Sequence, residues 1–163
     1  MKKLVILLCF SLLLCGCKKD EITEITASLI LPQEKVAPYL DYNPNFFEKT
    51  TRRCSTAEYR PNQAGAGDPV IIKVYQENQL MSENSIISYF NECRDYRPDS
   101  FSIDSLDVDC FVAYPSIHYY LDGYHVEIIA GSGSDNNQKI LLMNLAKISL
   151  DNLKEYKEQI EKN

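Results

Sequence analysis

The segment IHYYLDGYHVEIIA, residues 117–130, has the pattern of two β-strands joined by a tight turn. Its centre, Asp122-Gly123, favours a two-residue type I′ hairpin turn, because both central positions of that turn need a positive φ. The turn sets the pairing of the strands, with Leu121 opposite Tyr124 and His118 opposite Glu127. One face of the hairpin is then apolar and is predicted to be buried; it consists of Ile117, Tyr119, Leu121, Tyr124, Val126 and Ile128.

The other face of the hairpin contains both histidines of the chain, His118 and His125, together with Glu127 and Tyr120. Cross-strand and diagonal neighbours have Cβ atoms about 5 to 8 Å apart, so His118, His125 and Glu127 are within reach of one transition-metal ion. The alternative is a polar sheet face on which Glu127 pairs with His118 and Tyr120 stacks on His125. Side chains on a flat sheet diverge and no fourth ligand is evident, which favours this alternative. It makes Tyr120, His118 and His125 a candidate binding surface.

Three further segments have the composition of strands. Val70–Tyr75, VIIKVY, is β-branched and is bounded by turn residues. Thr50–Tyr59 is a more polar candidate, and residues 106–114 alternate between apolar and polar side chains. With the hairpin, these segments predict an antiparallel or mixed sheet of about four to five strands.

Two segments have helical spacing of their apolar residues. Residues 83–97 follow Ser82, and residues 136–161 follow Asp135, a predicted N-cap. The fold class predicted for the chain is therefore α+β, with two helices packed on the sheet. The order of the elements loosely resembles that of PsbP-type α/β sandwiches, although no motif supports the likeness, and fold does not imply function.

The first residues have the composition of a secretory signal. Met1-Lys2-Lys3 precedes the apolar run Leu4–Leu14, which is shorter than the roughly 20 residues of a membrane span. The run ends at Leu14-Cys15-Gly16-Cys17, which resembles the lipobox of bacterial lipoproteins. The resemblance implies that residues 1–16 are a signal peptide and that Cys17 becomes the first residue, with a diacylglycerol on its sulfur and usually an acyl chain, such as palmitate, on its amine. An ordinary secreted protein is the alternative.

The residues after Cys17 bear on location. Lys19-Asp20-Glu21 resembles the acidic surface-export signal of lipoproteins in Bacteroidota. The resemblance implies an outer-membrane protein displayed at the cell surface; only two acids follow the lysine, so the periplasmic face is the open alternative. Residues 17–31 are predicted to be a lipid-anchored tether, because they are largely polar at their start. Residues 32–163 are predicted to form a single α+β domain.

Charge excludes some partner classes. Without the two lysines of the leader, the chain has 15 basic and 23 acidic residues, a net charge of −8. Such a balance argues against nucleic acid and against polybasic membrane contact, and is typical of a soluble surface. The 147 residues after the leader are enough for one domain with a single core.

Three cysteines follow Cys17, namely Cys54, Cys93 and Cys110. An envelope location permits disulfides, and an odd number leaves at least one thiol unpaired. Cys93 and Cys110 both fall on apolar faces of neighbouring elements, which indicates either a Cys93–Cys110 disulfide or two buried thiols.

No nucleophile elbow or recognisable catalytic triad is present in the sequence. The predicted function is therefore a non-enzymatic binding or accessory module of unknown ligand, without a cofactor, whose partner is an envelope protein or a glycan. Two alternatives remain open: an inhibitor or immunity-type lipoprotein, and a metal-assisted enzyme using His118, His125 and Glu127.

Overall fold

The computed structural model describes residues 24–78 and 80–162. They form an α+β fold with one open antiparallel sheet, in the order β1-β2-β3-β7-β6-β5-β4. This confirms the predicted fold class, while the sheet has seven strands instead of four to five. The strands are β1 (Pro44–Thr50), β2 (Cys54–Pro61), β3 (Val70–Gln76), β4 (Phe101–Ser102), β5 (Asp109–Ala113), β6 (Ser116–Leu121) and β7 (Tyr124–Ala130).

Two long helices lie where the sequence predicts them. The described residues contain α1 (Ala27–Ile30), α2 (Gln33–Val36), α3 (Glu83–Asp95) and α4 (Asn136–Glu161). The side chain of Ser82 accepts a hydrogen bond from the Ser85 amide and caps α3. The Asp135 carboxylate accepts one from the Gln138 amide at 2.8 Å and caps α4. None of the described helices is long and apolar enough to span a bilayer.

The hairpin of β6 and β7 has the predicted register. Leu121 pairs with Tyr124, and His118 pairs with Glu127. Asp122 and Gly123 have φ values of 43° and 85°, the positive values that the turn requires. The turn residues therefore determine which side chains share a face.

The main core lies between the predicted apolar face of the hairpin and α4. Ile117, Tyr119, Val126 and Ile128 are fully buried there. The hydroxyl of Tyr119 donates a hydrogen bond to Ser149 of α4 at 3.0 Å, so this buried polar group is satisfied. Helix α3 contacts β3, β6 and β7, and it covers the opposite face with a smaller cluster around Phe90, Phe111 and Ala113. Helices thus cover both faces of the central strands.

The strand prediction was incomplete at two places. Residues 50–59 span the end of β1, a turn and most of β2. The chain reverses there because the Thr51 hydroxyl accepts hydrogen bonds from the backbone amides of Arg53 and Cys54. Residues 106–114 contain a strand only from Asp109 to Ala113. Asp107 has a φ of 53°, a left-handed conformation that interrupts extended backbone.

The domain begins earlier than the predicted boundary at residue 32. Ile25, Ala27, Ile30 and Leu31 are fully buried, so the second half of the predicted tether 17–31 belongs to the core. The Ala27 amide donates to the Ser55 hydroxyl at 2.9 Å and joins this segment to β2. The signal peptide 1–16, Cys17 and Lys19-Asp20-Glu21 lie outside the described residues.

Candidate functional site

The two histidines lie beneath α3, on neighbouring strands. His118 of β6 is 1% exposed and His125 of β7 is 0% exposed. The prediction of an exposed surface formed by Tyr120, His118 and His125 was therefore wrong for both imidazoles. The reason is that the apolar stripe of α3, with Ile86 and Phe90 buried, packs on this face of the sheet.

Aromatic rings surround the imidazoles. The His118 ring stacks on Phe111 at a centroid distance of 4.6 Å, and the His125 ring stacks on Tyr75 at 5.2 Å. Phe90 meets His125 edge-on at 5.3 Å. Tyr75 lies directly opposite His125 in the pairing of β3 with β7. The predicted stacking partner, Tyr120, instead donates its hydroxyl to Glu83 at the rim of the site.

This environment keeps both imidazoles neutral. Burial, with the positive charges of Arg97 and Lys73, lowers the pKa of His118 from 6.5 to about 3. Burial and the adjacent His118 ring lower the pKa of His125 to about 3 as well. The cause is that a surrounding of low polarity disfavours the charged form of a base.

A directional chain of hydrogen bonds fixes the protons on the two rings. Ser116 donates its hydroxyl to the Ala113 carbonyl at 2.8 Å, so it accepts from His118 Nε2 at 2.9 Å. The other nitrogen of His118, Nδ1, then accepts from His125 Nε2 at 3.1 Å. A neutral imidazole has one donor and one acceptor nitrogen. His125 Nδ1 is therefore left as a bare lone pair, buried and without a hydrogen-bond partner among the described residues.

A thiol from α3 completes the cluster. The Cys93 sulfur and one nitrogen of each imidazole all lie within 4.8 Å of one another. Burial raises the pKa of the Cys93 thiol, although a hydrogen bond with Tyr89 acts in the opposite direction. The periodicity of α3 places Cys93 near its apolar stripe. The sequence alone does not show which sheet face that stripe covers, so sequence reasoning missed Cys93 as a partner of the histidines.

Glu127 lies beside the cluster and is engaged by another strand. Its Oε2 accepts from Lys73 Nζ at 2.9 Å, across the pairing of β3 with β7. Its Oε1 is 3.9 Å from His118 Nε2, which is too long for a hydrogen bond. The structure therefore brings His118 and His125 together with Cys93, while Glu127 forms an ion pair at the edge.

The Cys93–Cys110 disulfide prediction was wrong. Cys110 pairs in register with Tyr119 and lies in the core on the α4 side of the sheet, whereas Cys93 lies on the α3 side. A disulfide needs Cα atoms within about 7 Å and converging side chains, which a sheet between them prevents. Within the part of the chain that the structure describes, Cys54, Cys93 and Cys110 are all free thiols.

A second feature of the molecule is the exposed strand β1. It is the edge strand, and its residues 45–50 are all exposed. Phe47 is 52% exposed, with the Arg60 guanidinium 5.4 Å from its ring centroid, and Phe46 is 41% exposed. A shallow cleft of about 200 Å³ follows the strand, lined by Phe47, Glu48, Lys49, Thr56, Glu58 and Arg60. The opposite edge of the sheet, β4, has only two residues.

No family model matches the chain, and no curated protein or solved structure is significantly similar to it. The assignment of a function to the buried cluster and to β1 therefore depends on their own geometry and chemistry.

Proposed function

We propose that the mature chain is a lipid-anchored protein of the cell envelope whose domain binds a partner protein by strand addition at β1. The main support for a binding role is that six consecutive residues of β1, at the edge of the sheet, are exposed. It replaces the hairpin surface as the candidate binding surface, because the imidazoles of the hairpin are buried.

An edge strand offers a row of backbone N–H and C=O groups to an incoming strand. Proteins usually protect such edges by keeping them short or by adding charges and proline. Here the far edge is protected by its length of two residues, whereas β1 has seven. Pro44 lies at the start of β1 and the charged Glu48-Lys49 lie near its end, so the exposed rings of Phe46 and Phe47 between them are the unprotected part. At one end of β1, the Pro44 carbonyl accepts from Gln33 at 3.1 Å, so the segment available for pairing is 45–50.

The side chains of β1 define the segment that fits. Successive residues point to opposite faces, so Phe46 and Phe47 would contact an added strand from both sides. Phe46 packs on Tyr59 at 5.6 Å, whereas Phe47 lies on the face with Lys49 and Arg60. The partner segment therefore has an apolar residue beside Phe47 and an acidic residue two positions away, beside Lys49.

The membrane anchor supports an envelope partner. Lipid on Cys17 retains the protein stably only when two or more chains are attached, as the lipobox resemblance implies. Seven residues, 18–24, separate Cys17 from Ile25, which is fully buried in the domain. The anchor and Lys19-Asp20-Glu21 thus favour a domain held close to the outer membrane and displayed at the cell surface.

A charge at the edge strand tests the binding role. Phe47→Glu is compared with Ile140→Glu on α4, since the two side chains have nearly equal exposure, 52% and 50%. We expect Phe47→Glu to reduce affinity for the partner that co-purifies with the membrane-extracted chain at least tenfold, as for an interface hot spot. Ile140→Glu should retain binding. Equal binding by both variants contradicts the proposal.

Hydrogen exchange tests whether the backbone of β1 makes the contact. Strand addition gives the outward amides of 45–50 new acceptors, so their exchange should slow in the purified complex relative to the free protein. Unchanged exchange across 45–50, together with slowing elsewhere, would place the interface on another surface and refute the strand-addition mode.

A further inference from the structure

We infer that Cys93, His118 and His125 bind one Cu⁺ ion through a thiolate and two imidazole nitrogens. This site is separate from β1: it lies under α3 and is built from helix α3 and strands β6 and β7. It also differs from the set that the sequence suggests, because the thiol of Cys93 replaces the Glu127 carboxylate.

The distances suit a shared ion. His118 Nδ1 and His125 Nε2 are 3.1 Å apart. Two imidazole nitrogens bound to one ion at about 2.0–2.1 Å with a tetrahedral angle lie about 3.3 Å apart, so the rings need little movement. Thiolate and imidazole ligands of one ion are about 3.5 Å apart by the same geometry. The Cys93 sulfur lies within 4.8 Å of one nitrogen of each ring, so a movement of about 1 Å brings it to ligand distance.

The protons of the cluster balance when the ion binds. The ion takes the place of the proton between His118 Nδ1 and His125 Nε2. That proton moves to His125 Nδ1, the bare lone pair, so His125 stays neutral. The Cys93 thiol loses its proton to solvent, and one proton is released for each ion bound. No electron is transferred, because copper enters and stays as Cu⁺.

The surroundings of His118 already have the arrangement that orients a ligand. Metal-bound histidines usually donate their second ring nitrogen to an outer acceptor, which fixes the ring. His118 Nε2 donates to Ser116, and Ser116 in turn donates to the Ala113 carbonyl. The lone pair of His118 Nδ1 is thereby directed at the position between the rings.

The net charge of the occupied site favours Cu⁺ over Zn²⁺. A thiolate and Cu⁺ sum to zero, whereas Zn²⁺ with the same ligands leaves one positive charge in a buried aromatic site. The nearby ion pair of Lys73 with Glu127 neutralises itself and offers no free carboxylate for that charge. Thiolate and imidazole are also suitable ligands for Cu⁺. Cys93 is half-buried and Tyr89 is 36% exposed, so the edge of α3 gives the ion a route inward.

Titration with Cu⁺ tests the site in the full chain, purified from membranes in detergent and kept anaerobic with ascorbate. We expect one Cu⁺ per chain in competition with a Cu⁺ chelator, and at least a hundredfold loss of affinity in Cys93→Ser. Cys110→Ser, which removes a buried thiol on the other side of the sheet, should retain the affinity. Equal affinities in wild type and Cys93→Ser overturn the inference, as does tighter binding of Zn²⁺ than of Cu⁺.

X-ray absorption of the copper-loaded wild type gives a result that does not depend on the folding of a variant. One sulfur and two nitrogen neighbours are expected around the copper. A shell of sulfur alone, or of nitrogen and oxygen alone, overturns the inference. Failure of this test leaves the binding role of β1 untouched, because no residue is shared between the two sites.

Discussion

Acid should destabilise the metal-free protein through its two buried imidazoles. Both are neutral in the folded state, with pKa values near 3. In the unfolded chain a histidine titrates near pH 6.5. As the pH falls below 6.5, the two histidines bind protons in the unfolded state but not in the folded state, so the free energy of unfolding decreases. The loss continues until the pH approaches the folded pKa, and it is absent above about pH 7.

The loss of stability at pH 5 depends mainly on the pKa of histidine in the unfolded chain. This pKa lies about 1.5 units above pH 5, and each unit corresponds to about 1.4 kcal/mol, so each imidazole lowers the free energy of unfolding by about 2 kcal/mol. Because of His118 and His125 together, the free energy of unfolding should therefore be about 4 kcal/mol lower at pH 5 than at pH 8. A typical domain has only about 5–15 kcal/mol of total stability, so the effect is easily measured.

Urea unfolding followed by circular dichroism at pH 8 and pH 5 measures this difference. The control is the double variant His118→Gln, His125→Phe, which retains every other ionisable group. Each protein is compared with itself at pH 8, so a lower stability of the variant at both pH values does not affect the result. If wild type and double variant lose the same free energy between pH 8 and pH 5, the reasoning is refuted.

Three further outcomes follow from the fold. Gly131 has a φ of +69° and Gly123 a φ of +85°, left-handed values that disfavour a residue with a Cβ. Gly131→Ala and Gly123→Ala should therefore each cost about 1–2 kcal/mol by urea unfolding, because the end of the Gln138 side chain, which the new Cβ at position 131 would meet, can move aside. Unchanged stability of either variant would contradict this. Deleting residues 24–31 should abolish the cooperative thermal transition, because four of them are fully buried; a cooperative transition in that deletion would show that this segment is dispensable. Cys17→Ser should leave the chain unprocessed or shed it from membranes in fractionation, and membrane retention of that variant would argue against lipidation.

The features that the sequence predicts well are local ones. The hairpin register follows from Asp122-Gly123, because a two-residue turn leaves the flanking strands a single pairing. Helix α4 runs from Asn136 to Glu161 as predicted, since an N-cap and a sustained apolar period act within one segment. These signals need no knowledge of the rest of the chain.

The elements that the sequence missed lack such signals. Strand β1 is exposed on both faces, so its residues have no alternation of apolar and polar side chains. Ile25, Ile30 and Leu31 are scattered in a polar context, and only their packing beside β2 makes them core residues. The positive φ of Asp107 ends an alternating pattern that looks like continuous strand.

For the buried cluster, the sequence by itself determined that His118 and His125 share one face of a hairpin, because side chains alternate along a strand. Only the tertiary structure decided that α3 covers this face, that Tyr75 stacks on His125, and that Cys93 joins the imidazoles while Cys110 lies on the far side of the sheet. These contacts connect segments far apart in the chain. They are set by the competition of apolar surfaces for burial across the whole sheet, which no local pattern specifies.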